Sequence, residues 1–186
     1  MSLFLFFSLL FLVCTFIFII FLLFKIIGYA YTYFFWGAIN VPTTEKRVVQ
    51  MIDFLSLNPA GKAVDLGAGD GRLIIALAKA GVEAHGYEIN PFLVSLARKN
   101  IREAGLENKA FMHLKNLWQK DLREFDIVVL YGMKHMMGKL EKKFEKELKP
   151  GSKIVSNYFV LPTWKPERAE DDIYLYIKND YCGKIK

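Results

Sequence analysis

Residues 3–24 form a run that is apolar but for Ser8 and Thr15 and carries no charge, and only beyond residue 40 does the chain settle into the mixed apolar and polar periods of a folded domain. About 22 residues at 1.5 Å each make a helix of about 33 Å, enough to cross a hydrocarbon core of about 30 Å. Tyr29, Tyr31, Tyr33, Phe34, Phe35 and Trp36 follow the run and read as an aromatic belt at a membrane interface. A cleaved secretory signal is the competing reading; it calls for a basic start, a shorter apolar core and a small-residue cleavage site, none of which stands here. Three parts are expected: an anchor at 1–27, an aromatic membrane-proximal segment at 28–40, and a folded domain at 41–186.

Within the folded domain the period alternates between that of a helix and that of a strand. A helix is predicted over 45–55, with Val48, Ile52 and Leu55 on one face and a threonine of Val41-Pro42-Thr43-Thr44 as its N-cap. Asn58-Pro59-Ala60-Gly61 breaks it before a strand at 62–66. There follow a helix over 73–80 stopped by Gly81, a strand at 83–88, a helix over 91–104 opened by Pro91, and strands at 110–114 and 125–131. Met136, Leu140, Phe144 and Leu148 recur at i+4 and predict another helix. Its solvent face is expected to carry Lys139, Glu141, Lys142, Lys143, Glu145, Lys146, Glu147 and Lys149, with Glu145 pairing Lys149. A strand at 153–160, a turn-rich stretch and a last, antiparallel strand at 173–178 complete the order. Strands alternating with helices predict an α/β, doubly wound, mostly parallel sheet of Rossmann-like type, preceded by one transmembrane helix.

Candidate chemistry concentrates where the first strand ends. Val64-Asp65-Leu66-Gly67-Ala68-Gly69-Asp70-Gly71-Arg72 runs from an apolar strand through three alternating glycines into an apolar helix. Glycine lets the backbone turn sharply and approach a ligand closely, and the following helix offers free N–H groups to a carboxylated or phosphorylated cofactor. The dinucleotide fingerprint needs a further glycine where Arg72 stands, so that match is poor. Glu88 closes the second strand in Gly86-Tyr87-Glu88-Ile89-Asn90-Pro91, where an acid accepts ribose hydroxyls. In such sheets ligands bind beyond the C-terminal strand ends, which would gather Gly67, Gly69, Glu88 and Asn116.

Charge changes the picture little. Lysine and arginine exceed acids by 25 to 19, a net +6, and every charged residue lies after the apolar run. Attraction to anionic lipid headgroups accounts for that excess, and nucleic acid is not an expected partner. Basic residues flank the span only on its C-terminal side, at Lys25, Lys46 and Arg47, which puts the domain on the cytosolic or organelle-interior face. Cys14 and Cys182 build no disulfide framework, and His85, His113 and His135 match no metal-ligand spacing, so no metal is expected.

Asp65-x-Gly67-x-Gly69-x-Gly71 resembles motif I of the class I S-adenosylmethionine-dependent methyltransferases. Over residues 41–176 the chain resembles more narrowly the membrane-anchored lysine methyltransferases of the ATP synthase c-subunit and the adenine nucleotide translocase. The carriers are Val41-Pro42-Thr43, the motif I segment, Gly86-Tyr87-Glu88-Ile89-Asn90-Pro91, Asn116-Leu117-Trp118, Met136-Met137 with Leu140-Glu141-Lys142-Lys143, and Pro162-x-Trp164-x-Pro166. A preceding hydrophobic span is also a feature of that family.

The resemblance implies S-adenosyl-L-methionine as cofactor, lysine N-methylation as activity, and a membrane protein as substrate. Gly67 and Gly69 would face the methionine moiety, with Gly71 completing the turn, Asp65 organising it and accepting from the ammonium, and Glu88 on the ribose. Asn116 and Leu117 would flank adenine; the family usually has Asp at the former, and an amide oxygen accepts without a carboxylate's charge. Tyr131, at the fourth strand's end, either orients the acceptor amine or packs. Thr43 either caps the first helix or meets the cofactor, and Trp164 either lines the acceptor site or covers the sheet edge. Two other readings stay open, a methyltransferase of small molecules or lipid headgroups and a non-catalytic cofactor-binding membrane scaffold.

Overall fold

The computed structural model describes residues 3–36, 43–55, 57 and 61–179. Side chains are described from Phe6 to Gly28 in the first helix. The expected break at 58–60, the Val41-Pro42 dipeptide, Cys182 and the side chains of the aromatic belt lie outside the described residues. Contacts divide the chain into two units, Met1–Asn40 and Val41–Lys186.

The first unit is one helix, α1 (Leu3–Trp36), which continues past the apolar run through the aromatic segment. Its Phe6–Gly28 stretch has a mean hydropathy of 3.0 and buries none of its most apolar window, so it is long and apolar enough to cross a membrane. Leu, Ile and Phe point outward all round it; a helix apolar on every side needs an apolar surrounding.

The second unit begins with α2 (Glu45–Leu55) and β1 (Lys62–Leu66), followed by α3 (Arg72–Lys79), β2 (Glu83–Glu88), α4 (Pro91–Glu103) and β3 (Ala110–Leu114). Then come a single 3-10 turn (Leu117–Gln119), β4 (Ile127–Leu130), α5 (Lys134–Glu147), β5 (Lys153–Asn157), β6 (Arg168–Glu170) and β7 (Ile173–Ile177). The strands form one sheet in the order β3-β2-β1-β4-β5-β7-β6. The first five run parallel, β7 is antiparallel to β5, and β6 is antiparallel to β7. Strand order reverses between β1 and β4, leaving a crevice beyond their C-terminal ends, where a doubly wound sheet receives its ligand.

Both faces of the sheet are covered. On one, Val48, Met51 and Leu55 of α2, Leu73, Ile74 and Leu77 of α3, and Val94, Ala97 and Ile101 of α4 pack on Ala63, Ala84, Val129 and Val155. On the other, Met137, Leu140 and Phe144 of α5 pack with Leu122, Phe125, Leu161, Trp164 and Tyr176 on Val64, Leu66, Val128 and Ile154. Local chemistry sets the helix ends. The Asn90 side chain accepts from Phe92 N–H at 3.0 Å to open α4, with Pro91 in its first turn. Gly81, at φ 96°, ends α3 in a paired cap, Gly81 N–H to Ala78 O and Val82 N–H to Leu77 O.

Four expectations need correction. Glu141 does not belong to the solvent face of α5: it is buried, and its carboxylate accepts from Thr163 N–H (2.8 Å), Thr163 Oγ1 (2.9 Å) and Trp164 N–H (3.3 Å). The i+4 pair on α5 is Lys143 with Glu147 at 2.8 Å, while Lys149 reaches Asp126 at 2.6 Å instead of Glu145. The strand expected at 153–160 stops at Asn157, because Tyr158 turns into the left-handed region at φ 68°. Finally, β6 is a strand within the stretch expected to be turns; Arg-Ala-Glu on an exposed edge has no apolar alternation to betray it.

Candidate cofactor and acceptor sites

The cofactor side is built from backbone. Gly67 (φ 102°), Gly69 (φ 53°) and Gly71 (φ 82°) all lie in the left-handed region that side chains resist, so the chain can double back directly after β1. Gly67 N–H and Ala68 N–H both donate to Tyr87 O, at 3.0 and 3.1 Å, which pins the turn to the end of β2. A Cβ on Gly67 would meet nothing within 4 Å, so open space lies above the turn, whereas one on Gly71 would come within 3.0 Å of Ala97 Cβ. Gly86, which the sequence pattern does not single out, is equally required: a Cβ there would stand 2.7 Å from Ala68 Cβ and 2.8 Å from Met112 Sδ. Its signal is a glycine inside a strand, the mark of a close backbone approach.

Glu88 joins both sides of that turn. One carboxylate oxygen accepts from Ile89 N–H (2.8 Å) and Asn90 N–H (2.9 Å), and the other accepts from Gly69 N–H at 3.2 Å. The oxygen on Gly69 N–H keeps a lone pair for a further donor, such as a ribose hydroxyl. Asp65, at 4% exposure, sits under the turn, and burial, then the charges of Glu88 and Asp70, push its carboxyl up to about 8. A protonated carboxyl of this kind would ionise on meeting a cation.

Asp70 and Arg72 close the turn's outer side. Arg72 Nη2 pairs with Asp70 at 2.5 Å, a contact that holds the Asp70 carboxyl below its ordinary value. Through Nη1 the guanidinium also donates to Thr43 O at 2.7 Å, which draws the segment before α2 toward the glycine turn. Thr43 is therefore not the cap: Thr44 fills that position, its side-chain oxygen accepting from Arg47 N–H at 3.4 Å and its carbonyl from Val48 N–H at 3.0 Å. Asn116 opens the 3-10 turn at Leu117, with its side-chain oxygen accepting from Trp118 N–H at 3.0 Å. That spends one lone pair of the amide oxygen and leaves a second.

The expected acceptor residue Tyr131 follows β4 at the same sheet edge. Its ring lies 5.5 Å from that of Tyr158, nearly perpendicular, and 6.2 Å from that of Phe159. Trp164, by contrast, is buried among Leu161, Tyr176 and the α5 residues, covering the sheet rather than facing the crevice. His85 and His113, far apart in sequence, meet across β2 and β3 with ring nitrogens 3.0 Å apart, and Glu83 lies 3.0 Å from His85. Burial, followed by the neighbouring His85, lowers the His113 pKa. Among the described residues no group of three or more His, Cys, Asp or Glu is arranged to hold a metal ion.

Residues 65–168 match the model of the ANTKMT methyltransferase domain family. The chain is 39% identical over 148 residues to a Mus musculus lysine N-methyltransferase of the ATP synthase c-subunit, covering 77% of this chain and 60% of that one. It is 34% identical over 151 residues to a protein-lysine N-methyltransferase of Saccharolobus islandicus, covering 76% of this chain and 94% of that one. Among solved structures, an RNA methyltransferase from Salinibacter ruber in complex with S-adenosyl-L-homocysteine superposes with a TM-score of 0.73 at 32% identity, covering 76% of this chain and 95% of that one. With the glycine turn, the acid at the tip of β2 and the sheet order all in place, the chain belongs to the ANTKMT methyltransferase domain family.

Proposed function

We propose that this protein transfers a methyl group from S-adenosyl-L-methionine to a lysine side chain of a membrane protein, held at the membrane by α1. One observation carries the reading: the open left-handed turn Gly67-Ala68-Gly69 is fastened by Glu88, the acid at the strand tip where a nucleoside's ribose would lie. The named activities of the relatives from mouse and Saccharolobus support lysine as the acceptor. The chain spans 60% of the mouse relative's length, and 94% of the archaeal one.

The residues present fit the cofactor. Gly67 and Gly69 offer backbone surface to its methionine end, Gly71 lets α3 start against Ala97, Glu88 accepts a ribose hydroxyl, and Asn116 and Leu117 flank the adenine. Asp65 becomes the charge partner of the ammonium, and Thr43, drawn in by Arg72, borders the same space. When bound, the cofactor supplies an electrophilic methyl carbon on a sulfonium.

The protein's task is to align a neutral amine with that carbon. A lysine of pKa about 10.4 is neutral in only about one molecule in 10³ at pH 7, a cost of about 4.6 kcal/mol. Aromatic walls at Tyr131 reduce the cost by withdrawing the ammonium from water, and the Tyr131 hydroxyl can hold the amine in line. Lys25, inside α1 just after its apolar run, and Lys46 and Arg47 beyond the helix favour a domain on the cytosolic or organelle-interior face.

The test is incubation of the purified full chain with methyl-labelled S-adenosylmethionine and membranes of its own source. A labelled protein band that yields methyl-lysine on hydrolysis and vanishes with Gly67→Arg is expected. Label confined to lipid would assign the headgroup reading, and cofactor binding without transfer would assign the scaffold.

A further inference from the structure

Among the described residues, three that are not glycine have a positive φ, and all three lie in one corner: Tyr158 (68°), Asp171 (50°) and Asp172 (58°). For a bulky aromatic residue this backbone is strained, and a glycine would adopt it freely. The chain nonetheless places tyrosine there and fastens it. Tyr158 N–H donates to Asp172 O at 2.7 Å, and Ser156 Oγ donates to Phe159 O at 2.5 Å. Arg47, from α2, stacks over the Tyr158 ring at 4.1 Å while donating to Asn157 Oδ1 (2.8 Å) and to Asp171 O (2.7 Å). Asn157 is fully buried, and its Nδ2 has no hydrogen-bond partner, a second unrelieved cost beside the first.

The corner stands at the working edge of the sheet. Leu66 of β1 pairs with Leu130 of β4, and Leu130 pairs with Ser156 of β5. Just beyond them stand Gly67, Tyr131 and Asn157, the last residue of β5, so Tyr158 leaves the sheet beside Tyr131. Tyr131 meets Tyr158 ring to ring at 5.5 Å, and with Arg47 on it Tyr158 still keeps 44% of its surface exposed. A strained aromatic residue held open beside the crevice is ill suited to packing and well suited to contact with a ligand.

We propose that Tyr158 is the second wall of the acceptor slot: its ring, set by Arg47 and Asn157, faces Tyr131 and receives the methylene stem of the incoming lysine. The inference rests on lysine N-methylation as the reaction. Arg47 and Asn157 act through Tyr158 and are positioning residues.

The experiment compares the full-length wild type with Tyr158→Phe and Tyr158→Gly in detergent. Cofactor affinity is read by calorimetric titration, and methyl-lysine formation by initial rate against increasing amounts of detergent-solubilised membrane protein from the source. Tyr158→Phe is expected within about twofold of wild type, since the ring remains. Tyr158→Gly relieves the backbone and should fold, bind the cofactor within about twofold, and lose at least about tenfold in rate, chiefly through a higher KM for the acceptor. Should the glycine variant not fold, Tyr158→Asn, which tolerates the left-handed region, takes its place. Wild-type rates in that variant, or a parallel fall in cofactor affinity, would overturn the proposal while lysine methylation stands. A wild type that binds cofactor but makes no methyl-lysine would overturn the reaction itself, and this inference with it.

Discussion

The two ends of the crevice are made differently. The proposed cofactor side rests chiefly on 24 consecutive residues, Asp65 to Glu88, in which backbone amides, three left-handed glycines and the carboxyls of Asp65 and Glu88 do the shaping. The proposed acceptor side draws on Arg47, Tyr131, Asn157-Tyr158 and Asp171-Asp172, which meet only because α2, β4, β5 and the β6–β7 turn converge. A backbone-built site repeats wherever its short motif occurs, whereas a side-chain corner can be rebuilt residue by residue while the fold is kept. The first suits a cofactor shared by many enzymes and the second an acceptor particular to one.

The sharpest way to separate the two ends is Glu88→Ala. It removes the acceptor of three backbone N–H groups and of a ribose hydroxyl, so cofactor affinity should fall up to about 100-fold, one charged hydrogen bond at about 1.5–3 kcal/mol. Calorimetric titration reads it, and an unchanged affinity would remove Glu88 from the cofactor site. Glu141→Ala should leave affinity intact but cost about 2–3 kcal/mol of stability in urea unfolding, because the Thr163 and Trp164 N–H groups lose their buried acceptor. If affinity falls with it, the α5 side of the sheet is not independent of the crevice.

Asp65 gives a pH-dependent test. Its folded pKa of about 8 lies above the unfolded value near 3.8, so the folded state holds the extra proton between them. Its contribution to stability is full below about pH 4 and is lost as pH rises through 8. Asp65→Asn should flatten that slope and raise Tm at pH 8 relative to wild type. Cofactor titration at pH 7 in buffers of different ionisation enthalpy should show release of about one proton, absent in Asp65→Asn. A wild-type titration without proton release would separate Asp65 from the ammonium. The smallest effect is expected for Lys99→Ala, whose partner Glu103 is equally exposed: within about 0.5 kcal/mol in stability and no change in affinity.

Where the pattern is dense, the sequence is legible to single residues. The helix at 45–55 and the strands at 62–66, 83–88 and 110–114 coincide with α2, β1, β2 and β3, since β1 is buried along most of its length, burial in β2 and β3 largely alternates, and helices bounded by caps announce their own ends. The glycine turn and Glu88 are legible for the same reason: the βαβ unit makes them neighbours by connectivity. Glu141 reads as exposed because its residue type and its neighbours on the helix are polar, and its burial comes from a loop 22 residues away. Tyr158 reads as part of a strand because nothing in Ser-Asn-Tyr-Phe-Val announces a left-handed turn. Thr43 and Thr44 are equal candidates for a cap until helix geometry chooses between them.

By itself, then, the sequence determined an apolar run long enough to span a bilayer, an alternating α/β order, and a cofactor turn whose glycines are required by backbone sterics. The tertiary structure alone decided which threonine caps, that Glu141 is buried, and that Arg47 holds a strained Tyr158 against Tyr131. Contacts within a turn or a βαβ unit follow from covalent proximity, but Arg47 and Asn157 stand 110 residues apart, and only the packing of α2 on the sheet brings them together.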